Sequence, residues 1–246
     1  MKILKIFLYA IAVIAIALLI SGLFLNEKLP VGENPTKADE LATKMQTALN
    51  KAAWDSTNLV TWEFKGGHKY IWDKKNEMVQ VTWGENKVLL NLKEWNKGKA
   101  FKNNKEITDA EIDVLRGQAW SFFCNDSFWL IAPFKVFDEG VTRKVVKIDD
   151  SEALLVSYAS GGVTPGDSYL WFLDKSGVPE KYKMWVKIIP IGGVEATWEQ
   201  WTKTKTGVSI ATKHKLGPLT IVIDGLKTGY SLADIDAKSD LFDGIK

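Results

Sequence analysis

A single cysteine, Cys124, and two histidines, His68 and His214, are all that 246 residues supply of the side chains that most often build disulfides, thiol nucleophiles and metal sites. One cysteine cannot form an intramolecular disulfide, and its place deep in the chain removes it from lipidation at a processed N-terminus. Beside Phe122 and Phe123 it reads as a small buried hydrophobe. The histidines stand in basic strand contexts with no carboxylate or second ligand next to them in sequence. That favours surface or edge positions over metal ligation or general-base chemistry. Charge of one sign is scarce as well. The formal net charge of +2 comes from Lys2 and Lys5, and the rest of the chain carries equal numbers of basic and acidic residues. A neutral domain lacks the clustered basic face that displaces counterions from phosphates, so no nucleic acid is expected as a partner.

Long hydrophobic runs are missing with one exception. Residues 6–25 contain no charge, and 20 residues in a helix span roughly 30 Å, the thickness of a bilayer core. Lys2 and Lys5 precede the run, while Glu27 and Lys28 cancel after it, which orients the short N-terminus to the cytoplasm. The run exceeds the roughly 7–15 apolar residues of a cleavable signal. Ala15-Ile16-Ala17 has the spacing of a cleavage site but is followed by eight more uncharged residues. The expected organisation is an N-terminal transmembrane anchor or uncleaved signal over residues 1–26, a spacer over 27–35 and one β-rich domain over 36–246. The location expected is the inner (cytoplasmic) membrane, crossed once, with the C-terminal domain facing the periplasm or exterior.

The residue present in excess is tryptophan, at 11. After the polar spacer, Pro35 suits a first helical turn, Thr36 and Asp39 have capping-box spacing, and Leu41, Met45, Ala48, Leu49 and Ala52 recur at helical intervals. From Val60 the period becomes two: Val60, Trp62 and Phe64, then Tyr70 and Trp72, alternate with polar residues. Gly66-Gly67 and Gly84-Glu85-Asn86 supply hairpin turns. Thr108 and Glu111 look like a capping box opening a helix through Ile112, Leu115, Ala119, Phe122 and Phe123. Asn125 or Asp126 then starts a second short helix that Pro133 ends. Further strands are expected near residues 143–148, 153–158, 169–173, 181–189, 194–202, 208–213 and 219–223. The acidic tail from Ser231 lacks the glycine and glutamate of a calcium loop and reads as a solvated end. These elements predict an α+β domain: a large curved antiparallel β-sheet, or half-barrel, with an N-terminal helix and a mid-chain helical lid. Such a curved sheet under a lid tends to enclose a cavity.

This layout resembles the lipoprotein-carrier (LolA/LolB-like) superfamily of the bacterial envelope. Tyr70-Ile71-Trp72-Asp73, Phe128-Trp129-Leu130-Ile131-Ala132-Pro133-Phe134, the stretch from Gly161 to Trp171 and Met184-Trp185-Val186-Lys187-Ile188-Ile189-Pro190 are similar to an uncharacterised family of exported bacterial proteins. The resemblance covers roughly residues 36–230 and implies an open half-barrel around a hydrophobic cavity closed by helices. It implies no activity.

Each tryptophan buries on the order of 200 Å² and needs a partner for its indole N–H, so the set either fills a core or lines a site. The candidate lining residues are Trp62, Tyr70, Trp72, Trp120, Phe123, Phe128, Trp129, Trp171 and Trp185. The ligand expected is a lipid or another hydrophobic small molecule, bound without catalysis; the membrane is contacted through residues 6–25, and no protein partner is identifiable. No catalytic residue, metal or cofactor is expected. An alternative is an envelope glycan-binding module that uses exposed aromatic platforms, and Trp198 and Trp201, on opposite faces of one strand, would place at most one ring inward. Glu195 and Glu199 share a face about 13 Å apart, too far for a glycosidase pair. The run from Gly161 to Ser168 is followed by a strand rather than the helix that a phosphate loop needs, so it reads as a long hairpin turn.

Overall fold

The structure, a computed structural model, describes residues 26–160 and 164–245. The anchor expected over residues 6–25 lies outside the described residues, as does the Gly161–Val163 part of the glycine-rich turn. Among the described residues no helix is long and apolar enough to cross a membrane.

Fourteen strands form one antiparallel sheet: β1 Leu59–Phe64, β2 His68–Asp73, β3 Met78–Trp83, β4 Asn86–Asn91, β5 Lys99–Lys102, β6 Lys105–Ile107, β7 Val141–Ile148, β8 Ser151–Tyr158, β9 Ser168–Leu173, β10 Pro179–Trp185, β11 Val194–Thr197, β12 Glu199–Lys203, β13 Ser209–Leu216 and β14 Leu219–Gly229. The order is β6-β5-β4-β3-β2-β1-β14-β13-β11-β10-β9-β8-β7, with β12 paired to β13 off this path. Two runs of hairpins are therefore joined where the first strand meets the last, through the β1–β14 pairing of Leu59 with Gly229 and Phe64 with Ile223. The sheet does not close, and its free edges are β6 and β7. β6 is only three residues long, and β7 is partly capped by Glu33, whose N–H and carbonyl both bond to Val145 (2.8 and 2.7 Å). Both devices blunt an edge that would otherwise pair with another chain.

The chain between the two edges is the lid. Helix α3, Glu111–Ile131, is one continuous helix of 21 residues, followed by a 3-10 turn at Ala132–Phe134. The break expected at Asn125 and Asp126 does not occur, because the Asp126 carboxylate is engaged by side chains of the sheet instead of capping a new helix. Nor do Thr108 and Glu111 form a capping box: the Glu111 N–H bonds to Asp109 Oδ1 at 2.9 Å. Helix α1, Pro35–Ala48, starts with Pro35 at its first turn as expected, but its cap is Asn34, which accepts from the Lys37 N–H. A short α2, Lys51–Ser56, follows. Gln46 donates to the Pro133 and Phe134 carbonyls, and Trp54 stacks on Phe134 at 5.1 Å, so the first helices and the end of the lid close one flank together.

One large apolar cluster fills the concave side, with Leu115, Ala119, Phe123, Leu130 and Ile131 of the lid packed on residues from both halves of the sheet. The convex side carries two small clusters. Val146, Ala153, Leu155 and Leu170 lie under the spacer, and Met78 and Leu89 lie under Phe242. The acidic tail is thus docked rather than solvated, because Phe242, 2% exposed, needs an apolar seat. β5 and β6 escape sequence analysis; their turn, Asn103-Asn104, uses two consecutive positive-φ asparagines. The expected strand over residues 194–202 is interrupted at Trp198, between β11 and β12, and Gln200 within β12 adopts a left-handed conformation (φ 55°). Trp198 and Trp201 stack on one another at 6.0 Å instead of facing opposite ways.

Gly98, between β4 and β5, presses so closely on the sheet that a Cβ there would sit 2.1 Å from the Leu89 carbonyl oxygen. Its own carbonyl accepts from Arg116 Nε of the lid at 2.7 Å. Gly98→Ala is expected to lower the unfolding free energy by about 2 kcal/mol or more in urea denaturation; an unchanged midpoint would show that the backbone yields there.

Candidate functional site

Parity along the strands decides which residues meet the lid. On β2, His68, Tyr70 and Trp72 share the inward face; on β10, Tyr182 and Met184 point inward while Lys183 and Trp185 point out. On the lid, Ala119, Phe123, Asp126 and Leu130 follow helical spacing and are all buried. Eight of the nine candidate lining residues belong to the concave cluster. Trp185 does not: it lies against the convex cluster and donates its indole N–H to the Glu27 carbonyl at 2.8 Å. Odd parity on β10 puts it there.

The space under the lid that curvature predicts as a cavity is occupied by rings. In one half, Trp62 stacks on Tyr70 at 4.4 Å, and Phe123 lies 5.3 Å from Trp72 and 6.4 Å from Trp62. In the other half, Phe128 meets Tyr169 at 4.8 Å, Trp129 meets Tyr182 at 5.9 Å, and Trp171 meets Trp198 at 5.1 Å. Trp120 stacks on Trp95 at the rim, 5.8 Å apart. Two sizeable depressions lie elsewhere. One of about 660 Å³ runs along α1 past Thr43 and Thr47, and one of about 340 Å³ lies between the C-terminal tail and the outer face of β3–β5.

Two sets of polar groups stand out inside the cluster. The first is a latch. Asp126, 2% exposed, accepts from Tyr70 Oη at 2.5 Å and sits 2.8 Å from His68 Nδ1, both through Oδ2, while Asn125 Nδ2 donates to Oδ1 at 2.8 Å. Burial, followed by the adjacent Asp126 charge, pushes the Tyr70 phenol well above its usual range, so Tyr70 remains the donor. His68 also stacks on Phe122 at 4.1 Å. The carboxylate partner of His68 thus comes from a helix 58 residues away, out of reach of local sequence reading.

The second set has no hydrogen-bond partner among the described residues: the indole nitrogens of Trp62, Trp72, Trp171 and Trp198 and the Tyr158 hydroxyl, all buried on the concave side. His214 is wholly buried rather than at a surface or edge. Its Nδ1 lies 3.0 Å from the Thr197 carbonyl, and its ring meets Trp198 at 4.5 Å and Trp129 at 5.3 Å. Burial lowers its pKa to about 4 against the opposing pull of the Thr197 and Trp129 carbonyls. It is therefore neutral at pH 7. Its even parity with Ile210 on β13 was the available signal.

Elsewhere the chemistry is sparse. Burial pushes the Cys124 thiol up to about 12, which makes it a poor nucleophile. Glu195 and Glu199 each face lysines, Lys181 for the former and Lys213 and Lys215 for the latter. Among the described residues no three His, Cys, Asp or Glu side chains gather as metal ligands would.

By sequence, the chain matches no family model and no curated protein. Among solved structures it is similar to a DUF1329 family protein from Desulfovibrio piger, at 10% identity and a TM-score of 0.45, over 85% of this chain and 97% of that one.

Asp126→Ala removes the acceptor of two sheet side chains and is expected to cost about 3 kcal/mol of unfolding free energy, with Asp126→Asn costing less because an amide oxygen still accepts. Equal losses for the two variants would argue that the latch does not act through hydrogen bonding. His214 generates a pH dependence. Its folded pKa lies below the unfolded value of 6.5, so the unfolded chain binds more protons between about pH 6.5 and 4, and stability falls as pH drops through that window. Relative to His214→Asn, the wild type should lose on the order of 3 kcal/mol more across it, measured by denaturant titration at each pH. Parallel curves would disprove the assignment.

Proposed function

We propose that this chain is a membrane-tethered, non-catalytic binding domain that holds a lipid or another hydrophobic ligand between its lid and the concave face of its half-barrel. The observation that carries this reading is the set of buried, unpartnered polar atoms within an otherwise apolar cluster. Native interiors pair nearly all such groups, and ligand sites combine apolar walls with a few convergent polar ones. Four of these groups are indole N–H donors, which can donate but never accept. The complementary ligand is an apolar chain that carries an acceptor, such as an acyl ester or a fatty carboxylate. Each methylene brought out of water contributes about 0.8 kcal/mol, enough for a chain to compete with ring contacts worth about 0.5–1.5 kcal/mol per pair.

Since rings occupy the interior with the lid in place, binding requires the lid to lift. The Asp126 latch and the Arg116 bond to the Gly98 carbonyl are polar contacts that resist it. The resemblance to lipoprotein carriers accords with this reading, and the N-terminal apolar run would hold the domain on the outer side of the cytoplasmic membrane. The glycan alternative needs a row of exposed rings; among the described aromatics only Trp95, Phe137 and Tyr230 are substantially exposed, and they are scattered.

The test is native mass spectrometry of the detergent-extracted full chain, with lipid extraction, beside titration with a fluorescent long-chain fatty acid. We expect a co-purifying hydrophobic species, and faster probe uptake by Tyr70→Phe than by wild type because the latch is weakened. Absence of both a bound species and uptake, in wild type and variant alike, would leave only a tethered scaffold.

A further inference from the structure

The strand register places the β8–β9, β10–β11 and β13–β14 connections at one end of the sheet, since Trp185 pairs with Ser168 and Ala196 with Leu216. β7 starts there too, Val141 pairing with Tyr158. This end displays Ile188, 70% exposed, with Phe137 and Leu219 also exposed. The first described residues are pinned to it. Glu27 donates its N–H to the Gly192 carbonyl at 3.0 Å, Gly192 donates back to Asn26 Oδ1 at 2.8 Å, and Lys183 grips the Glu27 carboxylate at 2.7 and 2.8 Å. The fit is tight: a Cβ on Gly192 would lie 2.6 Å from the Glu27 carbonyl oxygen and 2.4 Å from Trp185 Cδ1.

We propose that this end of the half-barrel, with Ile188, Leu219 and Phe137 foremost, lies against the surface of the bilayer that the N-terminal segment spans. The proposal rests on the reading of residues 6–25 as an anchor. Leu25 is two residues from Glu27, so the apolar run ends within roughly 8 Å of the point where the chain is fastened to the β10–β11 loop. The headgroup layer is itself about 6 Å thick on each side, so a loop fastened at that distance reaches the interface. Exposed isoleucine, leucine and phenylalanine are the side chains that gain there.

The experiment uses the full chain in a Cys124→Ala background, reconstituted into phosphatidylethanolamine–phosphatidylglycerol vesicles containing doxyl lipids. Single cysteines carry an environment-sensitive fluorophore at Ile188→Cys, Leu219→Cys, Asp150→Cys in the β7–β8 turn at the opposite end, and Ala15→Cys within the apolar run. Quenching about twofold or more stronger at 188 and 219 than at 150 is the expected result. If position 15 is quenched while 188 and 219 match 150, the anchor stands and the docking is wrong. If position 15 is not quenched, the anchor reading fails and takes the docking with it. A signal at 188 that follows protein density in the vesicle instead of doxyl content would mean that a second copy covers this end, which also overturns the proposal.

Discussion

A fourteen-stranded sheet with an apolar face must cover that face, and everything else in this domain follows from how it does so. Curling brings the two halves of the sheet toward each other, and helix α3, strung between the two free edges, lays Leu115, Ala119, Phe123 and Leu130 into the concavity. The cover is mostly aromatic on both sides. Large rings fill volume with little conformational entropy to lose, which lets one helix and the flank made by α1 and Trp54 serve a sheet of this breadth.

Filling the concavity with indoles has a consequence for hydrogen bonding. Each ring brings an N–H, and a face built from alternate strand residues has its backbone partners already committed to the ladder. Trp185 escapes on the convex side by donating to Glu27, and Trp201 by donating to the Pro179 carbonyl. Trp62, Trp72, Trp171 and Trp198 do not. A polar knot that is well satisfied, Asp126 with Tyr70 and His68, joins the lid to the sheet.

Fold class was legible in the sequence because it is written in periodicity: period two through β1–β4, helical spacing in α1, and Gly66-Gly67 at a hairpin with both glycines at positive φ. The inward facing of Trp62, Tyr70, Trp72 and Trp171 was legible for the same reason, since large aromatics at one parity of a strand face one way. What stayed hidden had no local signature. The interruption at Trp198 and the positive φ of Gln200, a residue other than glycine, have no local signal, so the stacking of Trp198 on Trp201 could not be read. Phe242 looked like part of a solvated tail until its seat on Met78 and Leu89 appeared.

By itself, then, the sequence determined the alternation of faces, the presence of a lid helix between two sets of strands, and the apolar run ahead of Asn26. Tertiary structure alone decided that Asp126 meets His68 and Tyr70, that His214 is buried beside Trp198, that the sheet's interior is filled by its own rings, and that Glu27 is fastened to Gly192. The physical reason is range. Periodicity reports which way a side chain points relative to its neighbours in the chain, whereas a partner dozens of residues away is chosen only when the whole sheet has curled.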